Sequence, residues 1–379
     1  MRISLISAAM VAALVGYGST IALVLAAAKA LGASPAETAS WVFAICLAKA
    51  AGSALLSGLT RVPVVLAWST PGAALIAASQ GLTMAEGVGA FLLAGLLILL
   101  TGLIGPLGRL IAAIPGAVAA AMLGGVLLPF CLKLAPAATQ SPRIILPVIA
   151  AFALVRLRNP AFAVLAALAA GLIMTFGLGT PLPQGPFPLP ALTFIAPDWS
   201  AAGLIGLGLP LYLVTMASQN LPGFAVLKGA GFEPPVRPAL TVTGAISALA
   251  ALFGAHTINM AAITAAICLG EDVHPDRSQR WKVGLAYAGA WTGLGLFGPA
   301  ILATISALPP DLIAAIVGLA LVTPLMGALG GAFAAPETRY PAAVTLIVTA
   351  SGVSAFGIGA AFWGLIAGLA ALFLDRLRR

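Results

Sequence analysis

Charge is what this sequence has least of. Only 7% of its 379 residues are Asp, Glu, Lys or Arg, while 61% are hydrophobic. A soluble domain carries about a quarter charged residues, so a soluble globular protein is excluded. The 10 acidic residues are Glu37, Glu86, Asp198, Glu233, Glu271, Asp272, Asp276, Asp311, Glu337 and Asp375. All fall between apolar runs or at their ends, which leaves the apolar interior without fixed negative charge. Cysteine is confined to Cys46, Cys131 and Cys268, far apart and without metal-ligand spacing. They read as buried free thiols, and neither a metal nor a cofactor is expected. Alternating segments of about ten residues, the mark of a membrane β-barrel, are missing too. The net charge of +8 is spread singly between apolar runs, so it signals membrane topology rather than nucleic-acid binding.

What remains is a series of apolar runs from one end to the other, the pattern of an all-α polytopic membrane protein in a lipid bilayer. The breaks give about fourteen segments: 4–31, 36–58, 62–80, 85–105, 113–132, 142–156, 160–177, 200–229, 237–253, 256–270, 280–306, 310–330, 340–355 and 358–375. Counting the third and tenth as re-entrant would leave twelve. The first run is too long for a signal-peptide core and is read as a span. With fourteen spans and both termini cytoplasmic, Arg2, Arg61, Arg109, Arg156, Arg158, Lys228, Arg237, Arg277, Arg280, Lys282, Arg339, Arg376, Arg378 and Arg379 lie inside. Only Lys29, Lys133 and Arg143 lie outside, and Lys49 falls within a segment. This asymmetry is what the positive-inside rule requires, and it favours fourteen.

The third segment is a poor continuous helix. In Ala67-Trp68-Ser69-Thr70-Pro71-Gly72, Pro71 lacks an N–H and disfavours helix at Thr70, so the chain should run extended and turn helical near Pro71. Shifted by 188 positions, Trp68-Ser69-Thr70 falls on His256-Thr257-Ile258, and the Ala-rich tails coincide. Gly102-Leu103-Ile104-Gly105-Pro106 recurs as Gly295-Leu296-Phe297-Gly298-Pro299, and Ile114-Pro115 as Leu308-Pro309. The expected organisation is therefore a first repeat at 1–177, a Pro-rich extracytoplasmic linker at 178–199 (Pro181, Pro183, Pro186, Pro188, Pro190, Pro197) and a second repeat at 200–379. Seven spans per half invert the second copy. Paired broken helices in such a repeat are the best sequence pointer to a transporter's binding site.

Val15-Gly16-Tyr17-Gly18-Ser19-Thr20, the Trp68–Ala74 stretch, Met216-Ala217-Ser218-Gln219-Asn220-Leu221-Pro222-Gly223 and Gly254–Cys268 together resemble the benzoate/proton symporter (BenE) family. The resemblance spans essentially the whole chain. It implies a seven-plus-seven inverted-repeat fold similar to the uracil/xanthine permeases, with a core domain moving against a gate domain. It also implies uptake of a small aromatic carboxylate with protons across a bacterial inner membrane, and suggests a homodimer through the gate domain. Uracil-type permeases use membrane-embedded glutamates in the eighth and tenth spans; here those places hold Gln219/Asn220 and Asn259. A site without negative charge suits an anion and argues against a nucleobase or a cation.

A flat ring bearing one carboxylate needs donors and a dry slot. Two facing half-helix N-termini offer N–H groups and positive dipole ends, with Ser69, Thr70, Gly72, Thr257 and Asn259 beside them. Tyr17, Ser19, Thr20, Ser218, Gln219 and Asn220 add polar groups at matching places in the two halves. Each of these residues either faces substrate or caps and bridges the broken backbone. Trp68 walls the ring or packs the core. His256 takes the coupling proton, pairs with the carboxylate, or bonds backbone at the break. Lys49 attracts the anion, takes part in coupling, or snorkels to the interface. Rival readings are another anion or nucleobase carrier of the same fold, a channel, and an intramembrane enzyme. Sulfate carriers of this fold usually carry a further C-terminal domain, which is not expected here. An enzyme would need clustered acid/base or metal-binding residues, and the only cluster, in the loop Glu271–Asp276, reads as a solvated turn.

Overall fold

Proline and serine decide where the third apolar run breaks. The computed structural model describes residues 2–105, 115–183, 189–356 and 358–377. Pro106, Arg109, Ile114, Pro186, Pro188, Arg378 and Arg379 of the sequence reading lie outside the described residues. Helices α1 (Ile3–Ala30) and α2 (Pro35–Thr60) lead into an extended strand, β1 (Leu66–Trp68), and the short helix α3 (Thr70–Ala77). Pro71 sits in the first turn of α3, where its missing N–H costs nothing, and the Ser69 hydroxyl caps the helix by accepting from Gly72 N–H at 3.1 Å.

Then follow α4 (Met84–Leu103), α5 (Gly116–Leu132), α6 (Leu134–Gln140), α7 (Pro142–Arg158) and α8 (Ala163–Gly177). Past the linker come α9 (Ala202–Gly229), α10 (Val236–Ala251), β2 (Ile258–Met260), α11 (Ile263–Leu269), α12 (Lys282–Leu296) and α13 (Gly298–Ser306). The chain closes with α14 (Pro310–Ala332), α15 (Arg339–Ala350) and α16 (Ala360–Leu377). Among the described residues, 7 helices are long and apolar enough to cross a membrane, or up to 8 counting the pair Arg277–Leu296 and Gly298–Ser306, bent by 56°. The eleventh expected segment is thus two helices rather than one.

β1 and β2 form a two-stranded antiparallel ribbon with Leu66 opposite Met260, Ala67 opposite Asn259 and Trp68 opposite Ile258. The strands are related by a shift of 192, not the 188 suggested by the Ala-rich tails. The second break has no proline to mark it, so alanines set a register four residues out.

An open ribbon inside a membrane needs partners for every outward N–H and C=O. On one edge, Ser53 and Ser57 of α2 accept from Leu66 N–H and Val64 N–H, both at 3.0 Å, and Tyr287 of α12 donates to the Leu66 carbonyl at 3.0 Å. On the other, Ser247 of α10 accepts from Ile258 N–H and Asn220 of α9 from Met260 N–H, both at 2.9 Å.

Helix α9 contains two π-helical stretches, Ala202–Gly208 and Met216–Asn220, each just ahead of a proline, Pro210 or Pro222. The wider turn relieves the clash and the lost bond that proline brings to an α-helix. The linker is stitched down rather than loose: Ile195 N–H bonds the Leu252 carbonyl at 2.8 Å and Asp198 N–H the Ala85 carbonyl at 2.9 Å.

Packing sorts the helices into two groups. α1–α4 and α9–α12 surround the ribbon, while α5, α7, α8 and α14–α16 pack on one another. Among the described residues, no hydrogen bond joins one group to the other; they meet through contacts of α1 with α8 and α14, of α3 and α9 with α5, and of α9 with α16. Within the first group α4 and α10 approach closely through small residues. A Cβ on Gly95 would lie 2.6 Å from Ala248 N, and one on Gly244 2.5 Å from Leu99 Cα. Gly95→Val and Gly244→Val should each destabilise the purified protein by at least the ~1–3 kcal/mol of ordinary overpacking, since backbone cannot yield as a side chain does. Thermal unfolding in detergent measures this; Gly58→Val, at an open position, is the control.

Candidate functional site

The site is built where the ribbon hands over to α3. Thr215 of α9 donates to the Ser69 hydroxyl at 3.2 Å and shares a 2.8 Å bond with the Thr257 hydroxyl. Ser69 N–H reaches the Thr257 carbonyl at 3.1 Å, so the two broken segments are tied at their starts. Asn259 fits with its amide oxygen toward Ser69 N–H and its nitrogen toward the Met260 carbonyl, both 2.9 Å. Gly72 allows this approach: a Cβ there would stand 2.6 Å from Leu211 and 2.7 Å from the Ser69 hydroxyl. On the other side, Thr20 of α1 bonds the Thr70 hydroxyl at 3.0 Å, and Ser19 lies 3.4 Å from Thr20.

A cavity of about 940 Å³ opens beside this junction, between the two helix groups. Of the residues expected from sequence, Ser19, Thr20, Trp68, Thr70, Ser218 and Gln219 line it, and so does Lys49. The π-helical turn Met216–Asn220 is what carries Ser218 and Gln219 to its wall. Tyr17, Ser69, Gly72, Asn220, His256, Thr257 and Asn259 do not line it. Tyr17 packs on Trp68 and Trp291, while the others stand behind the wall and hold the ribbon and the cap. Sequence reasoning missed Thr264 and Tyr287, which also line it, as well as Asn159 and Thr323 across the gap and the hydroxyl hub Thr215. A lone Thr or Tyr in an apolar helix carries no signal of its own. The opposite wall is Gly116, Ala119 and Met122 of α5 with Ala320 and Pro324 of α14, apolar surface fit for a ring. No acidic side chain lines the cavity among the described residues.

His256 is fully buried, and both ring nitrogens are engaged. Trp41 Nε1–H donates to Nδ1 at 3.0 Å, which leaves Nε2–H to donate to the Ser69 carbonyl at 3.2 Å. A proton added at Nδ1 would confront the Trp41 N–H, so this arrangement suits the neutral ring. Lys49, 1% exposed, does not snorkel. Its Nζ lies 4.4 Å from the Trp68 ring centroid and 2.9 Å from that of Trp291. Tyr17 packs on both indoles at 5.6 and 5.9 Å, and Tyr287 on Trp291 at 5.9 Å.

The Trp41–His256–Ser69 chain acts as one unit. Trp41→Phe and His256→Ala should each cost about 1–3 kcal/mol by stranding a buried group. The double variant should lose little more than the worse single one, because the interaction is shared. Thermal unfolding of the three variants checks this. A His256→Ala protein of unchanged stability would show that the ring does not pin Ser69.

The model of the BenE family, described as benzoate membrane transport protein, matches residues 1–374. The chain is 41% identical over 364 residues to the inner membrane protein YdcO of Escherichia coli K12, covering 95% of this chain and 93% of that one. It is 34% identical over 370 residues to the benzoate membrane transport protein of Acinetobacter baylyi, covering 97% and 94%. Among solved structures, the transmembrane domain of the cyanobacterial bicarbonate transporter BicA aligns with a TM-score of 0.58 at 16% identity, covering 99% of this chain and 97% of that one. The transporter SLC26A9 aligns with 0.60 at 14% identity, covering 98% of this chain and 65% of that one. At such identities these two speak for the fold alone. The chain is a multi-pass integral membrane protein and a secondary transporter, not an enzyme, and it belongs to the benzoate membrane transport (BenE) family.

Proposed function

We propose that this protein imports benzoate or a closely related aromatic carboxylate together with a proton, by alternating access across the bacterial inner membrane. The observation that carries the reading is the cavity itself. It lies at the junction of the broken segments, is lined by hydroxyls and aromatic rings, contains one lysine, and has no described acidic side chain. Such a lining repels cations, gives a carboxylate donors, and gives a flat ring an apolar slot against Trp68 and the α5 wall. Ser19, Thr20, Thr70, Ser218 and Gln219 are uncharged polar groups lining the cavity; Ser69, Gly72, Asn220, His256, Thr257 and Asn259 hold the frame, and Tyr17 packs against Trp68. The name borne by the Acinetobacter relative agrees with a benzoate-type substrate.

The fourteen-span, seven-plus-seven arrangement with cytoplasmic termini is part of the same proposal. Its support is the matching order of elements, α1–α2–β1–α3–α4 and α9–α10–β2–α11–α12, together with the basic residues of one face. The helix group around the ribbon is then the core domain and the other group the gate, with repeats 1–177 and 200–379. The large cavity reaches Asn159 and Pro160, next to Arg156 and Arg158. In this topology that face is cytoplasmic, so the state is inward-facing. A smaller cavity of about 360 Å³, lined by Ser79, Gln80, Lys133 and Ser351, lies at the other end of α3. It marks the path that opens in the opposite state. His256 and Lys49 are the candidates for handling the coupling proton, and the gate is the face for a homodimer.

The test is uptake of labelled benzoate into proteoliposomes under an imposed pH gradient, acid outside. Saturable accumulation that collapses when the gradient is abolished is expected, with salicylate competing and uracil, sulfate and bicarbonate not competing. Accumulation of one of those three in place of benzoate would overturn the substrate assignment.

A further inference from the structure

Lys49 stands apart from the other basic residues. Most of those lie at helix ends or in loops, whereas Lys49 sits in the middle of α2 with its side chain wholly removed from solvent. No described carboxylate or other acceptor bonds its ammonium, which rests instead on the faces of Trp68 and Trp291. Indole faces attract a cation by about 0.5–2 kcal/mol. Removing an ammonium from water costs several kcal/mol, so the rings offset only part of that cost and leave the charge short of an anion. Two neighbouring donors are in the same condition. Among the described residues, the buried Tyr17 hydroxyl and the buried Trp291 Nε1–H make no hydrogen bond of acceptable geometry. Both belong to the rings that surround Lys49: Tyr17 lies against Trp68 and Trp291, and Trp68 against Trp291 at 5.3 Å.

A folded chain leaves few buried polar groups unpaired, and such groups call for an explanation. Three donors without acceptors at one place, one of them on the wall of the cavity, make a subsite that lacks an anion. We infer that Lys49 is the residue that selects for negative charge. The carboxylate of the substrate pairs with its ammonium, and the Tyr17 hydroxyl and the Trp291 N–H supply neighbouring donors. Trp68 lines the cavity beside Lys49 and is the wall for the ring attached to that carboxylate. The class of ligand that answers both features is an aromatic monocarboxylate; a neutral aromatic amide of the same shape fills the slot but leaves the charge unmet. The pairing also spares the bilayer interior an isolated charge while substrate is carried, since the ion pair is neutral as a whole. This rests on the proposed substrate reading and adds the residue that enforces it.

Binding of labelled benzoate to purified protein, with competition by benzamide, tests the inference. Benzamide has nearly the outline of benzoate and no charge. The wild type should prefer benzoate by at least ~100-fold, the scale of a buried charge pair. Lys49→Met keeps the length and apolar stem of the side chain. It should lose that preference, with benzoate affinity falling about 100-fold toward that of benzamide while benzamide affinity changes less than about threefold. Retained benzamide binding shows that the variant is folded. Tyr17→Phe and Trp291→Phe, which remove one donor each and keep the ring, should lower benzoate affinity several-fold and leave benzamide unaffected. A Lys49→Met protein that still prefers benzoate, or a wild type that does not, overturns the inference while leaving the transport reading in place. A Lys49→Met protein that binds neither ligand overturns the inference too, since a selector of charge alone leaves the neutral ligand bound. A wild type that binds no aromatic carboxylate overturns both.

Discussion

Extended backbone cannot lie bare inside a membrane, and much of the protein is arranged to meet that condition. Each strand of the ribbon is paired on one side by the other strand and on the other by side chains. Ser53 and Tyr287 serve β1, Ser57 holds Val64 just ahead of it, and Ser247 and Asn220 serve β2. These partners come from α2, α9, α10 and α12, so satisfying six residues of strand fixes four helices around them. The close glycine packing of α4 on α10 then follows, because a bulkier pair would carry α10, and Ser247 with it, away from β2.

The choice of partners governs the electrostatics of the site. A hydroxyl donates and accepts, so Ser69, Thr215 and Thr257 close their bonds among themselves and the backbone without any formal charge. Carboxylates in their place would have satisfied the same N–H groups but filled the junction with negative charge. Neutral partners leave Lys49 as the full charge at the cavity wall among the described residues. Cation–π contact of about 0.5–2 kcal/mol against a desolvation cost of several kcal/mol leaves that charge unbalanced. The imbalance is directed toward the space where a ligand enters.

Much of this was legible in the sequence where chemistry is local. Pro71 and Gly72 announce the first break, and the structure places it there, with Ser69 as the cap. Ser19, Thr20, Thr70, Ser218 and Gln219 stood out as polar groups in apolar runs and do meet at one cavity. The second break was found but misregistered by four residues, because no proline marks it and alanine-rich tails match at many offsets. Contacts distant in sequence were not legible. Nothing in α2 says that Trp41 will meet His256, or that Ser53 and Ser57 will face a strand, since serine in an apolar helix is equally a helix-packing residue. Lys49 was visible as an anomaly, yet its resting place on Trp291, 242 positions later, follows only from α2 packing on α12.

The boundary between the two helix groups completes the physical argument. Inside each group hydrogen bonds are plentiful: Thr101 with Tyr212 in one, Ser141 with Asp311 in the other. Across the boundary the described residues make none, and close contacts run through small residues, as where Gly18 of α1 meets Leu165 of α8 and Gly206 of α9 meets Ile358. Dispersion between apolar surfaces changes little as they slide, whereas a hydrogen bond strained by a few tenths of an ångström loses much of its energy. A seam of this kind resists separation into lipid only weakly, but it resists lateral displacement even less. Because Ser19, Thr20, Lys49, Thr70, Ser218 and Gln219, with Ser69, Thr215 and His256 behind them, all lie on one side of it, displacement would move the ligand-facing groups and their supports as a unit and keep their bonds intact. The cavity wall contributed by α5 and α14 would stay behind.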